Sequence, residues 1–470
     1  MFRRLFFALL MLVGTAAQAQ PYNIVFRLDG STDSMLYIGR HYRDEVRLVD
    51  SARLKGGAYT FVGKKGLPRG IYALVHQDRT KQLGDFCIDD SRQFTIGADA
   101  DMTASKVKVI GSDANRQMFA YLATVADARA EMKDINERKK NEATKAKAEA
   151  DEKALIERMK AYEQEARHPK KPTLFFDLVN LFDSPEVPDS VEDKAYYYRQ
   201  HYWDGIFEAR RAGKMPDFVY TPNMFNKLNY FFFGHLYNAD SDTIMAEVDR
   251  LWARVGDDTA MQRYIMDFIT PRYYRSTRNI GWDAVWCHIA SEYYLKGRCP
   301  WEREGNLYNM RYNYNRIVQS LIGAHGQELW MADTSQNPDP NTWISSHRFP
   351  EKYVILWFWD PDCHHCQKYS EELKVLYDSL KKAPDRRFEV YAVGYESDID
   401  KWKKYIREHK LPFVHVGGTN VNIDYQEAYN VHSAPTMIIL NEKRDIIMNK
   451  LIPIGSLLDF LDEYEKRKKN

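Results

Sequence analysis

An unbroken apolar run, Tyr353 to Trp359 within "KYVILWFW" (352–359), constrains this chain more than any other feature. A strand with no polar position has no solvent face, so it predicts the interior of a sheet covered on both sides. Such sheets are mostly parallel and carry helices on their faces. The residues that follow agree. They predict a helix from Cys363, a strand over 388–395, a helix over 398–409, a short strand over 413–416 and a short helix over 424–430. A hairpin (436–441 and 446–451, turning through Glu442–Asp445) and an amphipathic terminal helix complete the order βα, βα, β, α, ββ, α.

The run gives way to Asp360-Pro361-Asp362, and then Cys363-His364-His365-Cys366 opens the predicted helix. A helix N-terminus places partial positive charge beside the first cysteine, which favours the thiolate, the reactive form of the side chain. A second thiol one turn further on can resolve a mixed disulfide. A zinc site would need about four ligands. No second Cys-x-x-Cys and no His-x-x-x-His lies nearby, so no metal is expected. A purely structural disulfide is disfavoured because the two-residue spacing closes a small strained ring. A lone peroxidatic cysteine in its own motif is not seen.

About seventy residues after the pair, "SAPT" places Pro435 directly before the next predicted strand. Strand, Cys-x-x-Cys, helix and this late proline together resemble the thioredoxin fold. The whole layout resembles secreted multi-domain thioredoxin-like proteins, the periplasmic thiol-disulfide oxidoreductases of Bacteroidetes type that carry uncharacterised β and helical domains ahead of the redox domain. The resemblance implies a cis-proline at Pro435 facing the pair and a redox-active disulfide Cys363–Cys366. In that pattern Cys363 is exposed and attacks, and Cys366 is shielded and resolves. It implies no cofactor, cysteine-containing substrate proteins as partners, and a separate redox partner. His364 and His365 fall where such proteins tune their potential. A protonated imidazole there favours the thiolate and makes the disulfide the stronger oxidant, while Asp360 and Asp362 oppose it. One position departs from the pattern. Many thioredoxins bury an acid six residues before the first cysteine, where this chain has Trp357. Proton transfer is then expected to use water or another group such as Glu371 or Glu372.

The remainder of the chain sets the context. Residues 1–19, with Arg3 and Arg4, an apolar stretch from Leu5 to Val13 and Ala17-Gln18-Ala19, read as a secretory signal peptide. No later stretch is apolar enough to span a membrane, and the expected location is periplasmic. Lys and Arg total 67 against 66 Asp and Glu, so no basic excess points to nucleic acid. The other three of the five cysteines, Cys87, Cys287 and Cys299, are expected as buried free thiols. A helix over 283–296 would carry the chain roughly 13 Å from Cys287, too far for Cys299 to return to it.

The fold class predicted is multi-domain: an all-β domain, a mostly α-helical centre with a long helix, and a C-terminal α/β thioredoxin fold. Residues 20–111 read as a β-sandwich-like domain. Residues 112–170 read as a long helix or helical connector. No Gly or Pro occurs between Asn115 and Arg167, so one helix of roughly 80 Å is the simplest reading, as a solvated helix or hairpin bridging two domains. Residues 171–320 read as an aromatic-rich helical domain cut into short helices by Pro185, Pro188, Pro216, Pro222, Pro271 and Pro300. Its aromatics predict core, or else a groove for a partner polypeptide. Residues 321–470 form the redox domain. The predicted function is disulfide exchange with substrate proteins. The alternative is a secreted binding protein that keeps the fold as a passive interaction module.

Overall fold

The computed structural model describes residues 21–89, 91–167, 173–181, 184–211, 221–275, 279–333, 342–380, 387–395 and 398–469. Residues 1–19, expected to be a signal peptide, lie outside them. Two compact units are present: residues up to Tyr237 together with Arg254–Gly256, and residues 238–253 together with 257–470. The helical stretch expected over 171–320 is thus shared between the two. Among the described residues no helix is long and apolar enough to cross a membrane.

The first unit opens with β1 (Tyr22–Asp29), β2 (Met35–Tyr42), β3 (Glu45–Lys55), β4 (Ala58–Gly63), β5 (Gly70–Val75), β6 (Gln82–Ile88), β7 (Gln93–Asp99) and β8 (Lys108–Ile110). They form a sheet in the order β6-β5-β2-β3-β4-β1-β7-β8. The long β3 pairs with β2 over most of its length and with β4 at its end, handing one half of the sheet to the other. Phe26 on β1 and Phe86 on β6 meet edge-on at 5.2 Å although their strands lie far apart in the sheet order, so the sheet closes over its own core. Alternation along β1, buried at Tyr22, Ile24, Phe26 and Leu28, supplies that inner face.

Ser112 caps α1 (Asp113–Lys139) by accepting from the Asn115 amide at 3.2 Å. The Asn115 side chain bonds both backbone groups of Cys87, at 2.7 and 2.8 Å, which fixes the helix start on β6. The single long helix expected here is corrected. The chain turns at Lys140–Asn141 and returns as α2 (Glu142–Arg167), an antiparallel hairpin. Asn141 caps the start of α2: its Oδ1 accepts from the Ala143 amide at 3.0 Å, and its carbonyl accepts from the Thr144 and Lys145 amides, both at 3.0 Å. Ile135 packs on Ala148 and Leu155, and Arg138 pairs with Asp151 at 2.7 Å. Short helices α3 (Leu174–Leu181), α4 (Lys194–His201), α5 (Asp204–Arg211) and α6 (Pro222–Tyr230) follow, the last with proline in its first turn.

The second unit begins with α7 (Ser241–Val255, all but its last two residues), α8 (Thr259–Arg275), α9 (Trp282–Ile289) and α10 (Glu304–Val318). Pro271 does not break the chain as expected; α8 runs through it near its C-terminal end and carries Tyr273 and Tyr274 beyond it. A π-turn, Ala290–Leu295, extends α9, and Cys287 and Cys299 are both free, buried thiols.

The same unit then lays down β9 (Trp330–Asp333), β10 (Trp343–Ser345), β11 (Tyr353–Trp359), α11 (His364–Leu380), β12 (Phe388–Gly394), α12 (Ile399–His409), β13 (Val414–Val421), α13 (Tyr425–Ala428), β14 (Thr436–Leu440), β15 (Ile446–Met448) and α14 (Leu457–Lys469). The sheet order is β10-β9-β13-β12-β11-β14-β15. β11 pairs parallel with β12 and antiparallel with β14, and all seven of its residues are buried. Tyr353, Ile355, Trp357 and Trp359 enter one core, with residues of α11, α12 and α14; Val354, Leu356 and Phe358 enter the other. Two cores on one strand explain why the run tolerates no polar residue. β9 and β10 extend the edge beyond what the sequence predicted.

Candidate functional site

The end of β11 delivers the chain to the cysteine pair. Asp360 organises the turn: its Oδ1 accepts from the Asp362 amide at 2.7 Å and its carbonyl accepts from the Cys363 amide at 3.2 Å. Cys363 stands immediately before α11, and its carbonyl accepts the helix bond from Gln367 at 3.0 Å. Its Sγ accepts from the Cys366 amide at 3.2 Å, the bond that a capping side chain makes with the third residue of a helix. Cys363 is half-buried and Cys366 is fully buried in the core around Trp357 and Leu373. Both are free thiols. Burial, and then the hydrogen bond with Cys363, push the Cys366 thiol well above its ordinary range.

Pro435 lies where the sequence placed it, before β14, and the Ala434–Pro435 peptide is cis. The Ala434 carbonyl oxygen is 3.7 Å from Cys363 Sγ, so this loop faces the pair. His364 and His365 are exposed on the first turn of α11 with ring centroids 6.2 Å apart. Among the described residues neither hydrogen-bonds to a cysteine. Asp362 is ion-paired with Lys401, whose pKa it raises, so its charge does not stand unopposed beside the thiols. Asp360 does act on Cys366, through its backbone and its carboxylate.

Trp357 fills the position of the missing acid. It is fully buried, and its Nε1 donates to Ser370 Oγ at 3.0 Å. Glu371 is held by His409 Nδ1 at 2.6 Å and Glu372 lies 4.0 Å from Lys368, so both carboxylates expected as proton acceptors are engaged elsewhere. Among the described residues no group of three or more His, Cys, Asp or Glu side chains is placed to hold a metal ion. Burial raises the Cys287 and Cys299 thiols to about 12, which leaves them unreactive near neutrality.

Residues 351–446 match the thioredoxin-like family. Through this domain the chain belongs to that family. A domain described as a possible thiol-disulfide isomerase, from Cytophaga hutchinsonii, is 31% identical over 32% of this chain and 96% of its own, with a TM-score of 0.28. A thioredoxin-like protein from Bacteroides caccae is 16% identical over 60% of this chain and 98% of its own, with a TM-score of 0.46. A thiol-disulfide oxidoreductase from Bacteroides fragilis is 21% identical over 30% of this chain and 98% of its own, with a TM-score of 0.26. A comparison with curated proteins finds no match.

Sequence reasoning missed how the helices before the thioredoxin-like domain hold its proline loop. Arg316 on α10 pairs with Glu427 at 2.8 Å, and the Tyr312 hydroxyl donates to Glu427 at 2.9 Å. The Arg316 guanidinium also lies 3.4 Å from His432 Nδ1, while His432 Nε2 is 2.7 Å from Asn430 Oδ1. These contacts suit a neutral ring that donates from Nε2 and accepts at Nδ1. Burial, and then the Arg316 charge, lower the His432 pKa. A depressed histidine pKa means that the unfolded chain binds the proton more readily. Stability is therefore lost as pH falls through the unfolded value of about 6.5. The local opening free energy of the β14 amides, read by native-state hydrogen exchange at pH 7.5 and 5.5, will differ less in His432→Asn than in the parent chain.

Proposed function

We propose that the chain is an exported thiol-disulfide oxidoreductase acting on cysteine-containing proteins in the periplasm, with Cys363 as nucleophile and Cys366 as resolving thiol. One observation carries the reading: a half-buried Cys363 sulfur receives a helix amide and faces the Pro435 loop, while its partner is buried one turn below. The amide bond holds the Cys363 sulfur at the mouth of the site, turned towards the Pro435 loop. Export rests on the sequence of residues 1–19.

The chemistry balances without a cofactor. The Cys363 thiolate attacks one sulfur of a substrate disulfide; a mixed disulfide forms, and the other substrate sulfur leaves as a thiolate that takes a proton from water. Cys366 then gives up its proton to water and attacks the Cys363 sulfur, releasing the second substrate sulfur as a thiolate that is protonated by water in turn. The substrate gains two electrons and the pair becomes a disulfide. A thiol reductant, the separate redox partner, must restore the dithiol for another turnover. Run in reverse, the same steps oxidise a dithiol. His364 and His365 tune the balance between the two directions by their charge near the thiolate.

Equilibration in glutathione buffers tests this. Two of the five thiols should oxidise together as a two-electron couple, within the span of about −270 to −120 mV seen for thioredoxin-fold pairs. Failure to form the Cys363–Cys366 disulfide under any poise would leave the passive module as the reading.

A further inference from the structure

A cavity of about 690 Å³ lies beside the redox pair, inside the second unit. One wall is the loop Ser433–Thr436, whose Ala434 carbonyl stands 3.7 Å from Cys363 Sγ. The facing wall comes from the helices outside the thioredoxin-like domain: Tyr273 and Tyr274 of α8, Trp286 of α9 and Asn313 of α10. Its volume is that of a site for a sizeable ligand.

The wall is fixed on two sides. Arg316 and Tyr312 tie α10 to Glu427, in the helix before the loop. Across the floor, Asn449 Nδ2 donates to Asp283 Oδ2 at 2.7 Å and to the Ser320 carbonyl at 2.9 Å, and Lys450 pairs with Asp283 at 3.3 Å. The cavity is therefore formed before anything binds, which spares a ligand the cost of ordering it.

Its chemistry selects. Asp283 and Lys450 neutralise one another, so the floor offers no free charge to an anion. That disfavours small anionic disulfides such as glutathione. Tyr274, 47% exposed, offers flat apolar area with a polar edge, as surfaces that receive polypeptide do, and Tyr273 and Trp286 stand almost fully buried behind it. Asn449 Oδ1 is buried and has no donor among the described residues, and a peptide N–H would satisfy it.

We propose that this cavity is the specificity subsite of the exchange reaction, taking an uncharged, aromatic- or aliphatic-rich extended segment that flanks the disulfide of a protein substrate. The proposal rests on the oxidoreductase reading given above and names its substrate class.

The test uses the full chain in its reduced form, in single turnovers followed by mass spectrometry after acid quench. Three probes are compared: oxidised glutathione, a disulfide-linked peptide with Phe and Leu flanking its cysteine, and the same peptide with Asp at those positions. The apolar peptide should react about tenfold or more faster than the Asp peptide, a discrimination of the size one apolar subsite provides. Asn313→Trp, which fills the cavity, and Tyr274→Asp, which charges a half-exposed part of its wall, should each pull that ratio several-fold towards one. Tyr308→Ala, exposed on α10 and outside the cavity, should leave the ratio unchanged. Equal rates for the two peptides, or a ratio that neither cavity variant moves, would overturn the subsite while leaving exchange intact. No reaction with any probe, glutathione included, would overturn the oxidoreductase reading and the subsite with it.

Discussion

Cys366→Ser will accumulate a stable mixed disulfide with oxidised glutathione or a peptide disulfide, and Cys363→Ser will accumulate none. The asymmetry follows from placement. Cys363 Sγ is accessible and accepts an amide at 3.2 Å, so it can attack whether or not its partner is present. Resolution needs the second thiol, which in the parent chain sits one turn away and attacks intramolecularly, far faster than any external thiol. With serine at 366 that step is lost and the adduct stays. In Cys363→Ser the remaining thiol of the pair is fully buried, and burial holds it in its neutral form. Cys87, Cys287 and Cys299 are likewise buried and contribute no adduct of their own. Intact-protein mass after exposure to excess oxidised glutathione reads both variants directly. Equal adducts from both variants, or none from either, would sink the assignment of the nucleophile. A metal site would lose its ion in both variants and trap a partner in neither.

What the sequence revealed of this site is uneven, and the reasons are physical. β11 was legible because a strand buried on both faces admits no polar residue, and seven consecutive apolar positions leave little else to propose. The cysteine pair and Pro435 were legible because their spacing to flanking elements is tight. The break at Lys140–Asn141 was not, because the turn uses neither Gly nor Pro. Its signal was Asn141 followed by Thr144, a capping pattern inside a run of good helix formers. Of the alanines just after it, Ala148 is the one that is buried, and its small side chain lets α2 approach Ile135 closely. β9 and β10 are too short to show a period. The engagement of Glu371 and the tie from Arg316 to Glu427 depend on residues 38 and 111 positions apart, and no local pattern encodes such pairings, whereas Lys368 and Glu372 stand at ordinary i,i+4 helical spacing. The aromatic wall was half legible. Tyr273, Tyr274 and Trp286 marked either core or groove, and the cavity shows that they serve as both, since Tyr273 is 1% exposed while Tyr274 is 47% exposed.

Trp357→Ala will destabilise the thioredoxin-like domain by about 3–5 kcal/mol, the range for removing a large aromatic from a packed core. Trp357 is fully buried on the strand between β12 and β14, opposite Ala392 and Met437, and its indole lies against the core that also holds Cys366. Trp357→Phe will cost less, about 1–2 kcal/mol, since most of the volume remains and the main loss is the bond to Ser370. The residual Ser370 hydroxyl can turn to the helix carbonyl four residues back, which limits that loss. A chain with two compact units is not expected to unfold in one step, so a global melting curve is the wrong measure. Native-state hydrogen exchange of the β11 and β12 amides reads the local opening free energy instead. The same substitution should expose the resolving thiol. In the parent chain Cys366 resists alkylation; in Trp357→Ala the vacated space admits water and reagent beside its sulfur, and alkylation should accelerate in step with the loss of protection. If the amides open more readily while Cys366 stays protected, Trp357 stabilises the sheet but does not shield the sulfur, and its place at the position of the missing acid has no bearing on the redox pair.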